Sequence, residues 1–171
     1  MKRWIKYGVI VVFGGLSAFG YSSATLTSKQ SAVTVGSGWE IARVGRVIDG
    51  DTIELADKRT VRYIGIDSPE TVNPRKTGVQ CFSAEAKREN QRLVEGKLVR
   101  LAGDVSDTDK YGRLLRYVYS DDVFVNDHLV RMGFARAVAI MPDIAYRDAF
   151  YSSQKSARQK SLGLWKNCPM Q

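Results

Sequence analysis

The 171-residue chain has only two cysteines, Cys81 and Cys168, and a single histidine, His128. A zinc site, which prefers nitrogen and sulfur ligands, has almost nothing to draw on. There is no block of five like charges and no internal repeat, which excludes a polybasic tail and a solenoid. Acidic residues are missing from the first 38 positions, where Lys2, Arg3, Lys6 and Lys29 stand unopposed. Residues 39–171 carry 22 basic against 18 acidic side chains, a net +4 out of the whole chain's +8. That charge suits a polyanionic partner without being specific for one.

The length allows one domain with a real core and is too short for two comfortable ones. Residues 1–24 read as an export segment: a basic start, an apolar run from Tyr7 to Phe19, and small residues at Ser22-Ser23-Ala24. Residues 4–21 are also nearly long enough for an uncleaved membrane anchor, so signal and anchor both stand, and both send the domain out of the cytoplasm. Residues 25–38, rich in Ser, Thr and Gly, read as a flexible linker to a domain at 39–171. In an oxidising compartment Cys81 and Cys168 are expected to pair, the alternative being two unrelated thiols.

Within the domain, strands are expected at Glu40–Ile48, Thr52–Ala56, Arg59–Ile66, Leu98–Ala102 and Leu114–Tyr119, with a short Val123–Val125 return. Helices are expected from a Ser83 cap to Glu95, from an Asn126 cap to Met132, and from Pro142-Asp143 to about Lys160. The densest chemistry lies in DGDTIELADKRTVRYIGIDSPE, Asp49 to Glu70. A hairpin over this stretch brings its ends together and sets Asp51 beside Asp67. Two carboxylates so placed repel unless a cation lies near, and hard oxygen ligands suit Ca²⁺ or Mg²⁺.

VIDGDT, then Arg62 with four residues between it and DSPE, then DKYGR at Asp109 to Arg113, resemble the staphylococcal nuclease family. NDHLVRMGFAR at Asn126 to Arg136 and the closing GLW at Gly163 to Trp165 extend the resemblance from Val44 to Trp165. It implies an α+β fold, a five-stranded OB-type β-barrel with three α-helices. It also implies phosphodiester hydrolysis of single- or double-stranded DNA and RNA by a monomer with one Ca²⁺. Asp51, Asp67 and the main-chain oxygen of Ser68 would hold the metal. Arg62 and Arg113 would clamp the phosphate, and Glu70 would act as general base. Lys110, Tyr111 and Lys76 are candidates for substrate contact.

Two departures stand out: Ala139 and Met141 occupy positions where the family's best-known members have tyrosines that hold the terminal nucleotide. Asp49 either orients water near the metal or caps its turn, and His128 is read as structural rather than catalytic. The competing readings are a non-catalytic nucleic-acid-binding domain of the same fold and a structural cell-surface module.

Overall fold

The computed structural model describes residues 33–35, 38–71 and 80–168. Residues 1–24, read above as an export segment, and Lys76 lie outside the described residues. The elements are β1 (Val33–Val35), β2 (Trp39–Val47), β3 (Thr52–Leu55), β4 (Thr60–Tyr63), β5 (Ile66–Asp67), α1 (Ser83–Val94), β6 (Leu98–Ala102), β7 (Leu114–Ser120), β8 (Val123–Phe124), α2 (Val125–Arg131), β9 (Arg136–Ala137), α3 (Arg147–Gln159) and α4 (Leu164–Asn167). Strands β2, β3, β4, β7 and β6 pair in that order, and β6 pairs back onto β2, closing a five-stranded barrel. Every barrel pairing is antiparallel except β4 with β7. This is the expected α+β barrel.

Alternation explains which side chains fill it. Val44 on β2, Ile53 and Leu55 on β3, Val61 and Tyr63 on β4, Leu101 on β6 and Val118 on β7 are all buried. Helices α1 and α2 close the barrel with Leu93, Val94, Leu129 and Val130, and Phe150 of α3 packs beneath them. His128 of α2 meets Glu89 of α1 at 2.8 Å, a tie between the two helices. Among the described residues no helix is long and apolar enough to cross a membrane.

Several local expectations are corrected. Val33–Val35, inside the stretch read as linker, forms β1 against β2, because Val-Thr-Val is β-branched throughout and Gly38 supplies a left-handed turn residue. Ser83 is the first residue of α1 and not its cap; its buried hydroxyl has no partner. Asn126 lies inside α2, accepting the Val118 N–H and donating to the Ile64 carbonyl, both at 2.9 Å. Asp143 accepts the Ser106 N–H at 2.7 Å, so α3 begins four residues later, at Arg147. A one-turn helix, α4, adds a fourth to the three expected.

The expected strand Arg59–Ile66 is broken into β4 and β5 at Gly65. Gly65 has φ of +78°, and a Cβ there would stand 2.5 Å from the Phe150 ring. The break lets Arg62 and Ile66 leave a shared strand face: Ile66 is buried, while the Arg62 side chain turns along the strand end. Cys81 and Cys168 are joined, so the end of α4 is bonded to the segment entering α1 across 87 positions.

Two predictions follow from this packing. Gly65→Ala should destabilise the protein by about 3 kcal/mol in urea titration, combining left-handed strain with overpacking against Phe150; an unchanged midpoint would contradict this turn. Reduction of the Cys81–Cys168 bond should cost about 4 kcal/mol by loop-closure entropy, read as a lower thermal midpoint in reductant than in its absence.

Candidate active site

The site starts at the turn between β2 and β3. The N–H groups of Ile48 and Asp49 both donate to the Thr52 carbonyl, and the Asp49 carboxylate accepts the Asp51 N–H at 3.1 Å. Asp49 therefore caps its own turn. The turn presses so closely on its neighbours that a Cβ at Gly50 would lie 2.7 Å from the Ser68 hydroxyl and 2.8 Å from Ala86. Glycine is what allows this turn to dock between β5 and α1.

Asp51 leaves the turn pointing inward and is buried. One of its oxygens accepts the Thr52 hydroxyl at 3.0 Å; the other accepts the Ser68 N–H at 2.6 Å and meets Arg62 at 3.0 Å. The Arg62 guanidinium also donates to the Ile66 carbonyl at 2.8 Å and the Tyr63 carbonyl at 3.1 Å, and to Asp67 at 3.0 Å. A single planar cation thus spans both predicted metal carboxylates. Asp51 is enclosed, whereas the Asp67 side chain is 58% exposed and faces solvent.

Electrostatics mark the same place. Burial, then the charge of Asp51, push Asp49 up to about 6. Asp67 is also raised, first by desolvation at the cleft wall and then by Asp51, against the pull of Arg62. Two acids held this close favour a positive charge between them. The carboxylate oxygens of Asp51 and Asp67 are donors of the kind a hard divalent cation takes. No cluster of three or more His, Cys, Asp or Glu is placed to hold a metal among the described residues, so water would fill much of the coordination sphere.

Glu70 follows Asp67 by three residues. Its N–H donates to the Gln80 side chain at 3.2 Å and its carbonyl accepts the Gln80 N–H at 3.2 Å. The Glu70 residue is exposed, and its charge contributes to the rise at Asp67. Arg113 stands one strand over, just before the point where Leu114 of β7 lies opposite Val61 of β4. Asp109 holds it through Nε at 2.7 Å and through its N–H at 3.0 Å, and also accepts the Tyr111 N–H at 2.9 Å. The exposed Tyr111 ring lies 5.0 Å from the Lys110 ammonium and 5.5 Å from the Arg113 guanidinium.

The structure therefore gathers Asp49, Asp51, Arg62, Asp67 and Ser68 into one bonded group, with Glu70 at its edge. Arg113, Lys110 and Tyr111 form a second group on a neighbouring loop, with no bond between the two. Lys76 lies outside the described residues. Ala139 and Met141 are exposed.

Four contributors were not singled out from the sequence. Thr52 and Asp109 orient Asp51 and Arg113. Fully buried Asn90 of α1 accepts the Tyr63 hydroxyl at 2.9 Å and donates to the Asp49 carbonyl at 3.0 Å. Arg136 pairs in register with Asp67 across β5 and β9. Thr52, Asp109 and Arg136 lie within the quoted motifs without being assigned a role, and Asn90 left a trace as a polar residue on the apolar stripe of Ala86, Leu93 and Val94.

Comparisons with known proteins agree with this arrangement. The family model described as staphylococcal nuclease homologue matches residues 60–167. A thermonuclease of Staphylococcus intermedius is 42% identical over 96% of the chain and 99% of its own length. A thermonuclease of Staphylococcus hyicus is 34% identical over 98% of the chain and all of its own length. The endonuclease YncB of Bacillus subtilis is 39% identical over 70% of the chain and 59% of its own length. With its barrel, its acid–arginine cluster and these full-length likenesses, the chain belongs to the staphylococcal nuclease family.

Proposed function

We propose that this nuclease is an exported, Ca²⁺-dependent hydrolase of DNA and RNA phosphodiesters with little sequence preference. The observation that carries the reading is the Arg62 guanidinium held between Asp51 and Asp67 at 3.0 Å from each. That arrangement supports the reading because it sets a guanidinium able to bind phosphate beside an acid pair able to hold a cation. Two further features favour it. Glu70 stands exposed beside the pair, and Arg113 is steadied by Asp109 through Nε, leaving its terminal nitrogens available to a phosphate.

Asp51, Asp67 and the Ser68 carbonyl would hold the Ca²⁺, which when bound supplies Lewis-acid polarisation of a phosphoryl oxygen. Arg62 and Arg113 bind the non-bridging phosphate oxygens and neutralise the charge that grows on them. Glu70 takes a proton from water as the water oxygen attacks phosphorus and the bond to the leaving ester oxygen breaks. The turn of Asp49 and Gly50, locked to α1 through Asn90, keeps Asp51 from relaxing away from Arg62. Little in the site reads a base edge, which accords with weak sequence preference.

The Cys81–Cys168 bond supports a destination outside the reducing cytoplasm. Residues 1–24 would supply the export signal or, through residues 4–21, a membrane anchor; N-terminal sequencing of the processed protein distinguishes them. The protein is proposed to act as a monomer.

Excess chelator should abolish hydrolysis of a fluorescent DNA substrate, with recovery at Ca²⁺ on the order of 10⁻⁴ to 10⁻³ M; full activity without divalent ions would remove the metal from the reading. Glu70→Gln should lower kcat about 10²- to 10⁴-fold with little change in KM, measured by steady-state kinetics. Arg113→Ala should impair both constants. Wild-type turnover in Glu70→Gln would move the general base elsewhere, and DNA binding without cleavage by the intact chain would select a binding domain.

A further inference from the structure

Charge is unevenly divided along the domain. Residues 39–127 are close to neutral, with 15 basic and 16 acidic side chains, whereas residues 128–171 carry seven basic against two acidic. Of those seven, Arg131 pairs with Asp127 and Arg147 with Asp148. The other five, Arg136, Lys155, Arg158, Lys160 and Lys166, make no ion pair among the described residues. The residues outside the description contain no acidic side chain that could serve them.

Two of these cations converge. The guanidinium of Arg158, on α3, lies 4.2 Å from the centroid of the Trp165 ring, and that of Arg136, on β9, lies 5.8 Å from it. Any aliphatic chain would cover a half-buried indole. Holding two like charges on the same ring, with neither in an ion pair among the described residues, favours an anionic ligand over them.

Their position gives the ligand a direction. Arg136 is the register partner of Asp67, so the two side chains leave the β5–β9 ladder on the same face, and the charge of Arg136 is felt at Asp67. Lys155 lies one helical turn before Arg158, and Lys166 follows Trp165. A line of unpaired cations thus runs from the acid pair onto α3 and α4.

We propose that Arg136 and Arg158, fixed by Trp165, form a track for the backbone phosphates of a single-stranded polynucleotide flanking the bond that is cut. The occupant follows from the nuclease reading above; the surface itself rests on the charge and the geometry. A single strand suits it because separate exposed cations can follow a flexible backbone without reading bases.

The test is equilibrium binding of a fluorescein-labelled oligothymidylate across a salt series, in chelator so that no cleavage occurs. Arg136→Gln/Arg158→Gln should bind about tenfold more weakly, with a salt slope shallower by about 1.4. Arg136→Lys/Arg158→Lys should keep most of the wild-type slope. If the glutamine variant has too low a urea midpoint to be used, Arg158→Gln alone carries the test with about half the slope change. An unchanged slope in the glutamine variants, or an equal loss in the lysine variant, overturns the track. Adding Ca²⁺ to the wild type separates the two ideas. Binding without cleavage would defeat the hydrolase reading and leave the track standing, whereas cleavage with an unchanged slope would do the reverse.

Discussion

The barrel mouth is organised by one guanidinium that keeps two carboxylates from driving each other apart. Arg62 can reach both because the chain turns at Gly65, which ends β4 and carries Asp67 back beside Asp51. Without a positive charge there, Asp51 would face the interior unpaired, and an uncompensated buried carboxylate is among the most destabilising groups a domain can hold. The group that stabilises the mouth is therefore also the one proposed to meet a substrate phosphate.

Around that point the support is layered in polar bonds. Thr52 and the Ser68 N–H fix the Asp51 carboxylate, Asn90 fixes the turn that presents it, and Tyr63 fixes Asn90. Each partner is buried or nearly so, where a satisfied hydrogen bond holds geometry and an unsatisfied one costs about 1–3 kcal/mol. The second group, on the loop carrying Lys110, Tyr111 and Arg113, has only Asp109 to hold it and is open to solvent. One group is held by several buried hydrogen bonds and the other by bonds to Asp109 alone.

Much of this was legible from residue order. Alternation located the barrel strands to within about a residue or two, except at the end of Arg59–Ile66, and the acid clusters at either end of one hairpin pointed to Asp51 and Asp67 sharing a site. The failures have physical causes. Ser83, Asn126 and Asp143 look like helix caps because they precede helical patterns, but tertiary partners claimed the last two and packing enclosed the first. Val33–Val35 was lost to composition, since the small residues around it masked three β-formers. Strand parity set Arg62 and Ile66 on one face, because the left-handed turn at Gly65 is a tertiary outcome decided by Phe150, 85 positions away. Asn90 and Arg136 act through partners distant in sequence, and the pattern around each residue does not name that partner.

The covalent link between Cys81 and Cys168 divides the machinery in an uneven way. Asp51, Arg62, Asp67 and Glu70 all precede the ring it closes, while Arg113, Arg136 and Arg158 lie within it. A proteolytic nick at any single peptide bond inside that ring leaves both fragments attached, so the arginine-bearing half cannot diffuse away. In surroundings rich in proteases the molecule can be cut once there and remain one particle.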